Sequence, residues 1–62
     1  MYGFDKVEGF LREHGWKLWG RWKCWGVFIK ANNPNERPVL VRVNPDGTIE
    51  PDEWNRIAEL LG

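Results

Sequence analysis

Residues 16–26 read WKLWGRWKCWG, in which the pattern Trp-Lys-x-Trp-Gly occurs twice with Arg21 between the two copies. Four of the five tryptophans of the 62-residue chain lie in this stretch. Tryptophan brings a large apolar ring to cores and interfaces, so the stretch predicts packing, stacking or binding. The spacing of three residues fits neither the strand period of two nor a helix continued through Gly20 and Gly26. We interpret the stretch as strand.

The strand must turn back on itself. A single strand over residues 16–31 would extend about 53 Å, whereas the radius of gyration expected for a chain of this length is about 11 Å. A hairpin with a two-residue turn at Gly20-Arg21 would set Trp19 opposite Trp22. That register also brings Lys23 onto the apolar face, which counts against it.

A hairpin with a four-residue loop at residues 20–23 avoids this conflict, and we prefer it. It sets Leu18 opposite Trp25 and Trp16 opposite Val27. One face of the sheet then collects the apolar strand residues and is covered by helices. These predicted core residues are Trp16, Leu18, Trp25, Val27, Ile29, Val39, Val41 and Val43.

A helix is predicted on each side of the strands. Apolar residues recur at steps of three and four over residues 4–14, and Gly15 is placed to follow the helix end. The same period recurs in the last twelve residues, where Pro51 suits the first helical position. Two β-branched runs, residues 27–29 and 39–43, predict the remaining strands. Turn residues separate the elements at 32–35 and 44–47, and Thr48-Ile49 can add a very short strand.

The predicted fold class is α+β, as one small domain over residues 1–62. Its order is helix, strand, strand, strand, helix, with a three-stranded antiparallel sheet and both helices on one face. Cys24 is the only cysteine, so an intrachain disulfide is excluded and a reducing, cytoplasmic location is expected. We expect neither a membrane partner nor a cofactor, since no apolar run reaches membrane-spanning length and no metal-ligand spacing is present.

Charge is divided along a chain whose net charge is zero. Residues 14–35 carry four cations and no acid, whereas acids dominate residues 43–62. A division of this kind predicts a surface that faces anions, although it also fits a helix charged for solubility. The sheet face away from the helices and the hairpin tip are the candidate binding site. Its predicted residues are Lys17, Trp19, Arg21, Trp22, Lys23, Phe28, Lys30 and Arg42.

The order of elements is similar to that of double-stranded-RNA-binding domains, and the spacing resembles the small HicA-type mRNA-interferase toxins. In that family a helix ends at Gly-Phe, here Gly15-Trp16, and a hairpin leads to a Gly-Ser-His motif followed by an aromatic residue. Lys23-Cys24-Trp25 and Phe28 occupy those positions, and the resemblance continues through Val39-Leu40-Val41. The closing helix of the family resembles Trp54, Ile57, Leu60, Leu61 and Gly62.

The family's catalytic histidine is replaced by Trp25, which cannot transfer protons to or from a phosphodiester. The resemblance therefore implies either an RNA-binding fold without ribonuclease activity or a shared architecture with a different use. His14 lacks a nucleophile or metal partner at a useful spacing and suits a helix C-terminus. Cys24 lacks a histidine base, and the acids at residues 46–53 lack the pattern of a calcium loop. An enzyme is not expected.

Two functions remain open at this point. The first is a non-enzymatic nucleic-acid-binding domain, above all for RNA, in which Trp19 and Trp22 stack on bases between cations. The second is a protein-interaction module, such as a small inhibitor, an antitoxin-like partner or a homodimer, that docks through the same aromatic face. The alternative that all four tryptophans of the repeat are core residues also stays open.

Overall fold

The computed structural model describes residues 2–61, and Met1 and Gly62 lie outside them. The predicted α+β fold is confirmed, with the short strand at Thr48-Ile49 present and one further short strand at Tyr2–Gly3 added. The elements are β1 (Tyr2–Gly3), α1 (Phe4–Glu13), β2 (Trp16–Trp22), β3 (Trp25–Lys30), β4 (Val39–Arg42), β5 (Thr48–Ile49) and α2 (Pro51–Leu61). The strands β2, β3 and β4 form an antiparallel sheet in that order, and the radius of gyration is 10.8 Å. Within residues 2–61, no helix is long and apolar enough to cross a membrane.

Local sequence explains the helix limits. Helix α1 ends where Gly15 adopts φ 87°, a left-handed conformation that glycine enters without a steric penalty. The Gly15 N–H donates to the carbonyl of Arg12 at 3.0 Å and so completes the last turn. Pro51 is the first residue of α2, as the sequence predicts, and Asp52 and Glu53 lie in its first turn.

The small strand pair β1–β5 was not predicted in full. The sequence predicts a short strand at Thr48-Ile49, but its partner is Tyr2–Gly3 at the start of the chain. The turn before β5 is built by Asp46, which accepts hydrogen bonds from the hydroxyl of Thr48 at 2.6 Å and from its N–H at 3.0 Å. These hydrogen bonds, led by that of the hydroxyl, hold the pKa of Asp46 below its ordinary value of 3.8.

Both helices cover one face of the three-stranded sheet, which we call the inner face; the opposite side is the outer face. Phe28 lies at the centre of the inner face and is completely buried. Strands β2 and β4 add further apolar side chains from the sheet, and the helices add theirs from above. The buried core consists of Val7, Leu11, Trp16, Phe28, Val39, Val41, Val43, Ile49 and Ile57.

Helix α2 also covers the free edge of β4. Its Arg56 donates through Nη2 to the carbonyl of Leu40 at 2.6 Å, and its Glu53 accepts the N–H of Arg42 through Oε2 at 2.8 Å. Arg56 and Glu53 bind each other at 2.6 Å. Burial raises the pKa of the Glu53 carboxyl, but the hydrogen bonds from Arg56 and Arg42 outweigh it, so the pKa lies below its ordinary value of 4.5. Unpaired strand edges invite association with other strands. Here the side chains of Glu53 and Arg56 pair with backbone groups of the β4 edge.

Candidate functional site

The hairpin turn begins three residues later than the preferred four-residue loop. Trp22 pairs with Trp25, so the turn consists of Lys23 and Cys24, and Lys23 adopts φ 56°. The preferred register, with Leu18 opposite Trp25, is wrong, and so is the tighter alternative at Gly20-Arg21. Moving the turn lengthens β2 to seven residues and β3 to six, so more backbone groups are paired than in either predicted hairpin.

A β-bulge at Trp19 makes this register possible. Leu18 pairs with Phe28, but Gly20 pairs with Val27, so Trp19 is an extra residue in β2. Alternation from Leu18 places Trp19 on the outer face, and pairing with Val27 places Gly20 there as well. The bulge thereby reconciles a Trp spacing of three residues with a strand, because one extra residue keeps Trp19 and the later Trp22 on the same face.

The register reverses the predicted faces of β3. Phe28 and Gly26 face the helices, whereas Trp25, Val27 and Ile29 lie on the outer face and are half-buried. Gly26 explains why this side of β3 faces the helices. A Cβ atom at Gly26 would lie 3.0 Å from Cε1 of Phe4, so only glycine allows the Phe4 ring this close to the sheet. Phe4 then packs on Phe28 with ring centroids 6.0 Å apart.

Three predicted binding residues are therefore not on the outer face. Phe28 is a core residue, since its register partner is Leu18 on the inner face. Lys30 pairs with Trp16 and holds its Nζ 5.2 Å from that ring, on the same inner side. Arg21 pairs with Gly26, and its guanidinium lies 5.1 Å from the Phe4 ring. Its predicted position at the hairpin tip depended on the wrong turn.

The other predicted residues come together on the outer face and its hairpin end. Register pairs across the three strands define rows of side chains that point the same way. Successive rows are about 7 Å apart along the strands. From the hairpin turn, the rows are Trp22–Trp25–Arg42, then Gly20–Val27–Leu40 with Trp19 at the bulge, then Lys17–Ile29.

Tryptophans dominate this surface. Trp19 is 69% exposed and Trp22 is 60% exposed, as the sequence predicts for these two, whereas Trp25 was predicted in the core and is half-buried beside them. We call Trp19, Trp22 and Trp25 the platform. Gly20 lies between its members and carries no side chain, and apart from its neighbours Trp19 and Arg21 no described residue comes within 4 Å of where its Cβ would be. The platform therefore has an open recess above Val27.

The charges around the platform are positive. Lys17 and Arg42 are exposed on the outer face, and Lys23 in the turn holds its Nζ 4.8 Å from the Trp22 ring. The strands that form the outer face contain no acidic residue. Arg42 also lines a cleft with Glu50, Asp52 and Glu53, of which Glu53 is occupied by Arg56 and by the strand edge.

His14 and Cys24 lie on different elements of the fold, at the end of α1 and in the hairpin turn. The Nδ1 atom of His14 donates to the carbonyl of Phe10 at 2.9 Å, and its ring lies 4.3 Å from the Phe10 ring, at the end of α1. Cys24 is an exposed turn residue. No three metal-binding side chains come together anywhere in residues 2–61.

Comparison with known proteins adds no assignment to this geometry. No protein-family model matches the chain, no curated protein matches it, and no solved structure matches it. The resemblance to HicA-type toxins stays a prediction. The outer face is therefore the candidate functional surface of this chain.

Proposed function

We propose that the outer face binds single-stranded nucleic acid, above all RNA, and that the protein acts by binding alone. The observation that supports this most is the arrangement of the platform. Three tryptophans share one face with Lys17 and Arg42, Lys23 lies in the turn beside Trp22, and the strands contribute no carboxylate. Aromatic rings interleaved with cations are what a strand of stacked bases and phosphates requires.

The open sheet face favours a single strand over a duplex. Bases in a duplex stack on each other, whereas unpaired bases can leave the stack and lie on aromatic side chains. Trp22 and Trp25 are direct cross-strand neighbours, and Trp19 lies one row away. Neighbouring bases of one strand can therefore reach neighbouring rings without a change in the sheet.

A net charge of zero does not prevent the binding of an anionic strand, because the charges of this chain are segregated. Binding depends on the cations near the phosphates, and the strands β2, β3 and β4 carry no acid, because the acids of this chain lie on the helices and in the loops. Salt competes with phosphate contacts, so the affinity is expected to fall steadily as salt concentration rises.

The test is equilibrium binding of fluorescently labelled oligouridylate of eight nucleotides, measured by anisotropy at low salt beside a duplex RNA. Trp22→Ala is expected to weaken binding by about 1 to 3 kcal/mol, the range for one stacked base. The single strand is expected to bind more tightly than the duplex. Because Trp22 is mostly exposed, the variant is expected to keep the thermal midpoint of the parent protein within a few degrees, as its circular dichroism will show.

Lys6→Ala is the matched control for Lys17→Ala. Lys6 is also exposed, but it lies on α1 on the other side of the sheet, so its removal is expected to leave RNA affinity unchanged while Lys17→Ala weakens it. If the parent protein binds no single strand at low salt, or if Trp22→Ala binds as well as the parent, the proposal is wrong.

A protein partner is the second candidate function. Among residues 2–61 four large apolar side chains are exposed, and three of them, Trp19, Trp22 and Leu40, lie on the outer face. A grouped apolar surface is a common sign of protein contact. In its homodimer form this function requires a mass that rises with concentration in sedimentation equilibrium and a return to monomer in Trp19→Ala.

A further inference from the structure

The outer face continues into a cleft between β4 and α2. The cleft has a volume of about 400 Å³ and is open to solvent. Trp25 lines it on one side, and Leu60 of α2 lines it on the other. Because Trp25 is also the central residue of the row nearest the hairpin turn, the platform and the cleft form one continuous surface.

The lining of the cleft has both an apolar and a cationic part. Leu40 is 44% exposed and Leu60 is 59% exposed, so both present apolar surface that the fold leaves uncovered. Arg37 is exposed, and its side chain makes no hydrogen bond or ion pair within residues 2–61. Arg56 differs, because it is held by Glu53 and by the carbonyl of Leu40. Among the described residues 2–61, Arg37 is therefore the cleft cation that no other group occupies.

The size of the cleft suits one nucleotide. Its volume lies toward the lower end of the range for small-molecule sites, which is about 300 to 1,000 Å³. Apolar walls can cover the faces of a base, and an arginine at the rim can bind a phosphate through two parallel hydrogen bonds. Three charged groups line the cleft, Arg37, Arg56 and Glu53, and two of them are cations, so the site favours an anionic ligand.

We propose that the β4–α2 cleft is a second subsite of the same single strand. It takes the nucleotide that follows the bases on the platform, with the base between Leu40 and Leu60 and its phosphate at Arg37. The strand then crosses the sheet from the hairpin side to α2, passing over Trp25. This inference rests on the proposed function and assigns to it a path and a further contact.

Oligonucleotide length distinguishes binding to the platform from binding to the cleft. A uridine trimer is long enough for the three rings of the platform, whereas an octamer can also enter the cleft. Arg37→Ala is expected to weaken octamer binding about fivefold and to leave trimer binding within twofold of the parent, because one phosphate contact is lost only with the longer strand. The slope of log affinity against log salt for the octamer is expected to fall by about 0.7, the value for one contact on a single strand.

Two further variants complete the experiment. Arg12→Ala removes the same side chain from an exposed position on α1 and is expected to leave both oligonucleotides unaffected. Leu60→Ala removes one apolar wall and is expected to weaken the octamer alone. If Arg37→Ala and Arg12→Ala bind the octamer equally well, the cleft is not a subsite, while the platform proposal stands. If the parent protein binds neither oligonucleotide, both proposals are wrong.

Discussion

The two faces of the β2–β3–β4 sheet have similar apolar content and different environments. On the inner face Phe28 and Val41 are completely buried under the helices. On the outer face Trp19 and Trp22 are mostly exposed, although each is larger than any side chain of the inner face except Trp16. Burial of apolar area stabilises a fold in proportion to the area removed from water, so the outer tryptophans contribute little of what their size would allow. Their exposed ring surface is available to a ligand instead.

The largest expected effect comes from exchanging the central core residue. Phe28→Ala removes a buried ring and is expected to cost about 3 to 5 kcal/mol. A domain of this size has a total stability of about 3 to 5 kcal/mol from its core, so the variant is expected to be largely unfolded. Near-UV circular dichroism, which reports on the packed tryptophans, measures the loss.

The control for this prediction uses two valines on opposite faces of neighbouring strands. Val41→Ala changes the buried inner face, and Val27→Ala changes the half-buried outer face one strand away. We expect the unfolding free energy in urea to fall by about 2 kcal/mol for the first and by less than half of that for the second. Equal losses would show that the sheet does not have the inner and outer faces described above.

Two strand glycines test the same difference between the inner and outer faces, with an intermediate expected change in stability. Gly26→Ala places a methyl group 3.0 Å from the Phe4 ring on the inner face, and overpacking of this kind is expected to cost about 1 to 3 kcal/mol. Gly20→Ala places the same group in the open recess of the outer face, where strand stability is expected to stay level or to rise slightly. Thermal unfolding of both variants measures the difference. A stable Gly26→Ala protein would mean that Phe4 can move away without loss.

The smallest expected effect concerns the edge of the sheet that α2 covers. The pKa of Glu53 is lowered in the folded protein, so the folded state favours the carboxylate. Its contribution is complete above the ordinary value of 4.5 and is lost as the pH falls through the lower folded pKa. Glu53→Gln is expected to cost about 1 kcal/mol at neutral pH and to reduce the slope of stability against pH in the acid range.

Urea unfolding between neutral pH and the acid range measures this slope. A residual slope is expected from Asp46, whose pKa is also lowered. Glu59→Gln, an exposed change on the same helix, is the control and is expected to keep the unfolding free energy of the parent at neutral pH. An unchanged slope in Glu53→Gln would show that the carboxylate does not stabilise the β4 edge.

Much of the secondary structure could be predicted because it follows from local patterns. The helix predicted at residues 4–14 is Phe4–Glu13, and the one predicted to begin at Pro51 does so. Capping glycines, first-turn acids and a period of 3.6 act within a few residues, so they can be read without knowledge of the fold. The partner of β5 could not be predicted in the same way, because Tyr2–Gly3 lies more than forty residues away.

The site was predicted only in part, and the reason is the bulge. A hairpin register read from alternation assumes a constant period of two, and one extra residue at Trp19 breaks that assumption. The error moved Arg21 to the tip and Phe28 to the open face. A signal was present at Gly26, since a glycine inside an apolar strand often marks a close approach of another group. Here that group is the Phe4 ring.

The sequence by itself determined the α+β order, the limits of the helices and the concentration of tryptophan and positive charge in one hairpin. These properties depend on composition and on contacts between residues close in the chain. Only the tertiary structure decided which face each strand residue occupies, because the choice depends on how α1, α2 and the bulge pack together. Trp16 is a core residue while Trp19, Trp22 and Trp25 share the outer face, and this division follows from packing between distant segments, not from the repeat in which all four stand.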